Sequence, residues 1–307
     1  MSMTVDMAPF MSRNGLAAMQ LSRQLLALPV GEQLPRARDI AIDLGFGNGT
    51  VQAGLQLLEQ SGAIRTSSHG RSGTTLDAAD RALLWELGGL QTLTMSMPLP
   101  YSRRYEGLAS GFLSAFKELG IPFDLLYQRG SKGRLNALVH GSMDIAVTSG
   151  LAFDLQRDEL PVRELADLGP ATYVGAHGIV LAQGKELTTP GLRVAIDRAS
   201  ADQTHLVESV FGGRDVTFVD TFYSQLDDEF AAGRIDATVW NVDEIDQHLH
   251  AAVTVQELPD TARSTHAVLA VREGSNRVPK ALFDDLDLDQ VHAVLDDVLA
   301  GRRFPAY

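Results

Sequence analysis

The sequence has 307 residues, 45% of them hydrophobic and 21% charged, which is ordinary for a globular protein and enough chain for two domains with full cores. Its 26 basic and 39 acidic residues give a net charge of −13, a sign that phosphate repels, yet residues 1–85 hold seven arginines and seven acids and are neutral. The absence of cysteine excludes disulfides, thiolate metal sites, iron–sulfur clusters and thiol nucleophiles.

Apolar residues at helical spacing over residues 12–28 (Leu16, Met19, Leu21, Leu25, Leu26, Leu28) predict a first helix, stopped by Pro29. Pro35 opens a second helix to about Leu44, with Ile40, Ala41 and Leu44 inward. Gly45-Phe46-Gly47 reads as a turn and Asn48 as the N-cap of a third helix over 49–60, with Val51, Leu55 and Leu58 inside. Two short extended pieces, 63–66 and 73–76, joined by a polar turn, complete a winged helix-turn-helix. Its third helix presents Asn48, Thr50, Gln52 and Gln56 outward, where amides suit adenine edges. Arg36 and Arg38, and on the hairpin Arg65, His69 and Arg71, flank it with phosphate-binding charge. The alternative for each arginine is solvated surface, and for Gln52 a solubilising role. A neutral amino-terminal part is free to meet double-stranded DNA, whereas the acidic remainder is held away.

The run from Leu34 to Leu76 resembles the DNA-binding domain of GntR-type bacterial regulators. The matching pieces are LP at 34–35, DIA at 39–41, G-x-x-x-x-TV at 45–51, L-x-x-LE at 55–59, GAI at 62–64 and G-x-x-GT at 70–74. It departs from that pattern at Gly47-Asn48-Gly49 and Gln52, where Ser-Arg and Arg are usual, which leaves the bases read open.

A connecting helix follows over 77–89, with Leu83, Leu84, Trp85 and Leu87 as its stripe. Strands at 93–97, 123–127 and 144–148 then alternate with helices at 102–119 and 132–140, which predicts a parallel sheet. Residues 138–147 (LVHGSMDIAV) echo at 230–239 (FAAGRIDATV), each a helix end, a glycine and a short strand beginning with Asp144 or Asp236. Both aspartates read as strand-start caps rather than catalytic acids. The second copy follows strands at 192–196 and 216–219 and a helix at 202–210. Two such lobes resemble type II periplasmic-binding-protein folds, which also serve as effector domains in LysR-type regulators. Residues 172–182 are the expected crossing strand, 266–271 the return and 278–300 the closing helices. The runs 97–111 (MPLPYSRRYEGLASG), 193–203 and 235–244 resemble YhfZ-type regulators, which pair a GntR-like winged helix with a binding-protein-like domain. That resemblance covers nearly the whole chain and defines no ligand.

The expected fold is therefore multi-domain. A winged helix-turn-helix, α with a small β-hairpin, spans 1–80, and a linker helix spans 81–90. A two-lobed α/β type II periplasmic-binding-protein-like domain spans 91–307, its second lobe about 185–245. Ligands of such sheets bind beyond strand carboxyl ends and at helix amino termini. The first such loop offers Tyr101, Ser102, Arg103, Arg104 and Tyr105, and the next, 129–132, offers Ser131. Thr148 and Ser149 follow, then Ser200 and Asp202 from the 197–202 loop, Tyr223, Trp240 and Asn241. Paired arginines with hydroxyls suit a carboxylate or phosphate. The alternatives are that Arg103 and Arg104 pair with the acidic surface, and that Trp240 is plain core.

The expectation is a DNA-binding transcriptional regulator, a homodimer on a two-fold operator, whose second domain senses a small anionic effector. No cofactor, metal or membrane is implied: no apolar run reaches the roughly 18 residues of a membrane span. Residues 1–10 carry Asp6 but no base, unlike a signal peptide, so a cytoplasmic protein is expected. The other classes are an enzyme on this fold (dehydratase or deaminase) and a solute-binding protein.

Overall fold

In the computed structural model, which describes residues 12–70, 73–243, 245, 249–259 and 263–307, the first element is α1 (Arg13–Leu25). Ser12 begins it by accepting from the Gly15 N–H at 3.1 Å. The chain forms two compact units: Met1–Leu93 with Ala115–Phe123 and Asn276–Asp287, and Thr94–Ser114 with Asp124–Ser275 and Leu288–Tyr307. Among the described residues no helix is long and apolar enough to cross a membrane.

In the first unit α2 (Ala37–Leu44) ends at Gly45, whose φ of 70° turns the chain into the left-handed region that glycine alone enters freely. The helix α3 (Asn48–Gln60) then begins one residue earlier than the sequence implies. Gly47, extended at φ −79° and ψ 152°, occupies the cap position, so Asn48 lies inside the helix with its side chain exposed rather than capping. Where α3 crosses α1, Gly54 is the point of approach: a Cβ there lies 2.9 Å from Leu21 Cδ1 and 3.1 Å from the Ala18 nitrogen. Buried Val51 and Leu58 flank it and pack with Ala17, Leu21 and Leu25.

The wing is the antiparallel pair β1 (Ile64–Ser68) and β2 (Thr74–Ala79). Ala78 and Ala79 pair with Arg65 and Ile64, so the following helix, α4 (Arg81–Leu87), is shorter than the 77–89 expected. It starts at Asp80, which accepts from the Leu83 N–H at 2.9 Å. This helix is not a free linker. Arg81, 4% exposed, donates to the carbonyls of Leu25 at 2.9 Å and Leu28 at 3.1 Å, at the carboxyl end of α1, and to Asp285 at 2.6 Å. Arg23 on α1 donates back to the Gly88 carbonyl at 2.6 Å.

The second unit is built round two five-stranded sheets, with α5 (Arg103–Leu119), α6 (Ser131–Val139), α7 (Gly150–Asp154) and α8 (Ala201–Phe211) among their connections. Its first lobe holds β3 (Leu93–Met97), β4 (Phe123–Tyr127), β5 (Ile145–Ser149), β6 (Val162–Asp167) and β12 (Ala267–Arg272), in the order β4-β3-β5-β12-β6. The second lobe holds β7 (His177–Ala182), β8 (Leu192–Ile196), β9 (Val216–Asp220), β10 (Ala237–Asn241) and β11 (Val253–Leu258), in the order β11-β7-β10-β8-β9. Read from opposite ends the two orders are the same, which is the structural form of the sequence echo. Each sheet is mixed rather than all parallel. β3 and β5 are parallel, as are β8, β9 and β10, but β12 and β7 run antiparallel because the chain carries them across from the other lobe. The second lobe's sheet therefore reaches from His177 to Leu258, wider than 185–245, and the crossing itself is loop up to residue 176 rather than strand from 172.

Asp144 and Asp236 occupy equivalent places at the starts of β5 and β10. Asp144 accepts from the Thr94 N–H and hydroxyl, both at 3.0 Å. Asp236 accepts from the Arg193 N–H at 3.0 Å and from its guanidinium, twice, at 2.8 Å. Each carboxylate ties one strand to its neighbour, and the Arg193 hydrogen bonds hold the Asp236 carboxyl down to about 2.

Two outcomes follow. Gly54→Val forces α1 and α3 apart and should lower the stability of the winged-helix unit by about 1–3 kcal/mol in urea denaturation; an unchanged midpoint contradicts the close crossing. Because the Asp236 carboxyl is depressed, its contribution is present above about pH 4 and is lost as pH falls towards 2. Asp236→Asn should cost about 1.5–3 kcal/mol at pH 7 and flatten the decline below pH 4, measured by denaturation at each pH.

Candidate ligand cavity and nucleic-acid interface

Two helices aim their amino termini at the cleft between the lobes: α6 (Ser131–Val139) from the first and α8 (Ala201–Phe211) from the second. On α6 the spacing i, i+3, i+4, i+7 puts Ser131, Arg134, Leu135 and Leu138 on the buried face. Arg134 is thus an arginine in an apolar stripe, 2% exposed. Its Nε donates to the Val147 carbonyl at 2.7 Å, Nη1 to the Gln128 carbonyl at 2.9 Å and Nη2 to the Tyr173 hydroxyl at 2.8 Å. All three acceptors are neutral, and no carboxylate among the described residues pairs with this guanidinium. One N–H on each terminal nitrogen is left for something else.

Facing it from the second lobe is Asp202, in the first turn of α8 and 7% exposed. It accepts from the Ser149 hydroxyl at 2.6 Å, the Ser200 hydroxyl at 2.8 Å and the Gln203 N–H at 3.0 Å, again with no cation as partner among the described residues. Around these two groups lies a cavity of about 80 Å³, walled by Tyr101, Tyr105, Tyr173 and Tyr223 and closed by Arg129 and Asp197, themselves paired at 2.6 Å. The Tyr105 and Tyr173 rings meet edge-on at 5.1 Å. Burial pushes both phenols up from their ordinary range, so both are neutral hydrogen-bonding groups at pH 7. Tyr101 and Tyr223 lie 5.6 Å apart, with Trp240 edge-on to Tyr223 at 5.3 Å, and divide the cavity from a groove of about 330 Å³ lined also by Ser102 and Asn241.

Of the residues singled out from sequence, Tyr101, Tyr105, Ser200, Asp202, Tyr223 and Asn241 line the cavity, and Ser102 and Trp240 line the groove. Ser131 and Ser149 instead join the lobes: Ser131 accepts from the Ala201 N–H at 3.1 Å and Ser149 donates to Asp202. Thr148 is wholly buried in β5, away from the cavity. The paired arginines do not enter it either. Successive helical residues diverge by about 100°, and Arg103 turns to the Val298 carbonyl at 2.8 Å. Arg104 crosses to Asp243 at 2.8 Å, with the Ala171 carbonyl and the Gly175 N–H in the same cluster. It is a latch between lobes, 14% and 15% exposed at its two ends. Arg129 and Asp197 line the cavity as members of the 129–132 and 197–202 loops, and Arg134, Tyr173, His177 and Gln203 line it without having been singled out. The i, i+3, i+4, i+7 stripe of α6 is the signal that marks Arg134.

In the first unit Asn48, Gln52 and Gln56 are exposed along α3 and Thr50 is half-buried. Arg36, Arg38, Arg65 and His69 are exposed beside it, Arg36 at the start of α2 and Arg65 and His69 on the wing. Arg38 lies 4.0 Å from Asp39 with 78% of its side chain in solvent, and Arg71 falls outside the described residues.

A double-mutant cycle on Arg104→Gln and Asp243→Asn should give a coupling of about 1 kcal/mol or more, against about 0–0.5 for the exposed pair Arg198–Asp220. Equal couplings contradict the latch.

Residues 29–76 match a family model described as a helix-turn-helix domain, and residues 80–307 match one described as the YhfZ C-terminal domain. YhfZ of Escherichia coli strain K12 is 33% identical over 301 residues, 97% of this chain and 99% of that one. The crystal structure of YhfZ from Shigella flexneri is 32% identical with a TM-score of 0.63, covering 74% of this chain and 98% of that chain. The periplasmic VFT2 domain of Bordetella pertussis BvgS, at 14% identity, shares the fold with a TM-score of 0.52 over 71% of this chain and 97% of its own. A helix-turn-helix region followed by an α/β domain like those of periplasmic binding proteins fits a DNA-binding regulator with a ligand-binding domain. By this coverage and identity, the chain belongs to the YhfZ family.

Proposed function

We propose that the protein is a transcriptional regulator that binds an operator as a homodimer, its two-lobed domain sensing a small carboxylate-bearing metabolite and changing that binding. The observation that carries the reading is Arg134: a guanidinium 2% exposed, facing a cavity, whose acceptors among the described residues are all neutral. An uncompensated buried charge costs several kcal/mol, and an anion bound beside it offsets that cost. The Ser149–Asp202, Ser131–Ala201 and Arg104–Asp243 contacts hold the lobes together over the cavity, so its contents bear on closure. On the DNA side, the exposed amides of α3 face base edges, and the arginines of α2 and the wing face phosphates. Closure then alters the spacing of two winged helices about 34 Å apart on two half-sites.

The test is fluorescence anisotropy on the DNA upstream of the protein's own reading frame, at several salt concentrations. Gln52→Ala should weaken binding by about 1–3 kcal/mol and relax base preference. Arg38→Ala should lower the salt slope by about one. Absence of any protected DNA in footprinting overturns the regulator.

A further inference from the structure

We propose that the cavity takes a zwitterion of amino-acid type, its carboxylate on Arg134 and its ammonium on Asp202. This rests on the sensor reading above and narrows its ligand. The two buried charges come from opposite lobes, Arg134 from α6 and Asp202 from α8, and neither has a protein counter-ion among the described residues. They flank the same ring pair. Burial dominates both phenols, but on Tyr173 and on Tyr105 the field of Arg134 opposes that of Asp202, so guanidinium and carboxylate act across one small space. The remaining charged groups of the wall, Arg129 and Asp197, neutralise each other. The carboxylates and guanidiniums of the wall therefore balance in number but lie apart, with His177 as the further titratable group of the lining.

That charge pattern selects against the alternatives. A phosphate dianion brings two charges to one guanidinium and sets them against Asp202. A plain carboxylate satisfies Arg134 and leaves Asp202 buried without a cation. A plain amine does the reverse. Only a molecule with both ends compensates both lobes, and losing a buried partner costs far more than a lost surface contact. The two free N–H groups lie on separate terminal nitrogens of Arg134, the arrangement that receives a carboxylate with two hydrogen bonds. The size is consistent: about 80 Å³ holds roughly half a dozen water-sized groups, the bulk of an amino acid with a short side chain. A ligand held at both ends also joins the lobes along the same line as the Ser149–Asp202 hydrogen bond.

The experiment is calorimetric titration and thermal shift of the full chain with the twenty L-amino acids. For each binder its deaminated acid and its decarboxylated amine follow, with inorganic phosphate alongside. At least one short amino acid should bind, and both single-charge analogues should bind at least tenfold more weakly. Arg134→Gln should abolish binding of that amino acid. Asp202→Asn, which keeps the shape of the side chain, should bring its affinity down to that of the deaminated acid. The proposal is overturned if the deaminated acid or phosphate binds as tightly, or if no amino acid binds. Operator affinity separates the two levels. If phosphate or a plain carboxylate shifts it, the zwitterion is lost and the sensor stands; if neither these probes nor a metabolite extract shifts it, the sensor is lost as well.

Discussion

The guanidinium of Arg134 joins three parts of the two-lobed domain that are distant in sequence. Its hydrogen bonds run to the end of β5 at Val147, to the loop after β4 at Gln128 and to Tyr173 in the segment that passes between lobes. Tyr173 is in turn held by its N–H to the Thr265 carbonyl at 2.8 Å, on the returning segment, so the two crossings are bonded to each other at the hinge. One buried cation thus fixes strand ends and the crossing segments at a single point, and it does so without a counter-charge among the described residues. In a low-dielectric interior such a group calls for an anion more strongly than any exposed arginine does. The cavity wall and the bonded crossings thus meet at the same side chain.

The remaining polar groups divide by what they hold. Asp144 and Asp236 secure each sheet internally, Arg104–Asp243 and the serines Ser131 and Ser149 bring lobe to lobe, and Arg81 joins α1, α4 and Asp285 within the first unit. Apart from Arg129–Asp197 at its rim, the cavity wall spends few of its charges on itself. The net charge is divided as unevenly: residues 1–85 are neutral and the remainder carries the whole −13.

Patterns of local origin were legible in the sequence. The helices of the reader, the glycine turn at Gly45, the wing and the βα units all follow from periodicity and turn chemistry, and the echo of 138–147 at 230–239 anticipates two sheets of one order. The edge strands β6 and β11 left little trace, because VRELAD and VTVQEL carry polar residues suited to an exposed edge and no apolar run. The antiparallel members β7 and β12 depend on where the chain crosses, which no window of sequence contains. At the site Tyr101, Tyr105, Tyr223, Asp202 and Asn241 were accessible from loop position, whereas Arg103 and Arg104 misled because adjacent arginines invite an anion and their partners, Val298 and Asp243, lie far along the chain. Arg134 was hidden by its neighbours: within SKGRLNALV it passes for the polar face, and only the stripe with Leu135 and Leu138 turns it inward.

The most direct test of this account is the operator affinity of the full chain at fixed salt, with and without a saturating cavity ligand, in the native protein and in Arg134→Gln. The account predicts a shift of at least fivefold in the native protein and no shift in the variant. An operator affinity that ignores the ligand in the native protein, or a shift that survives in Arg134→Gln, contradicts it.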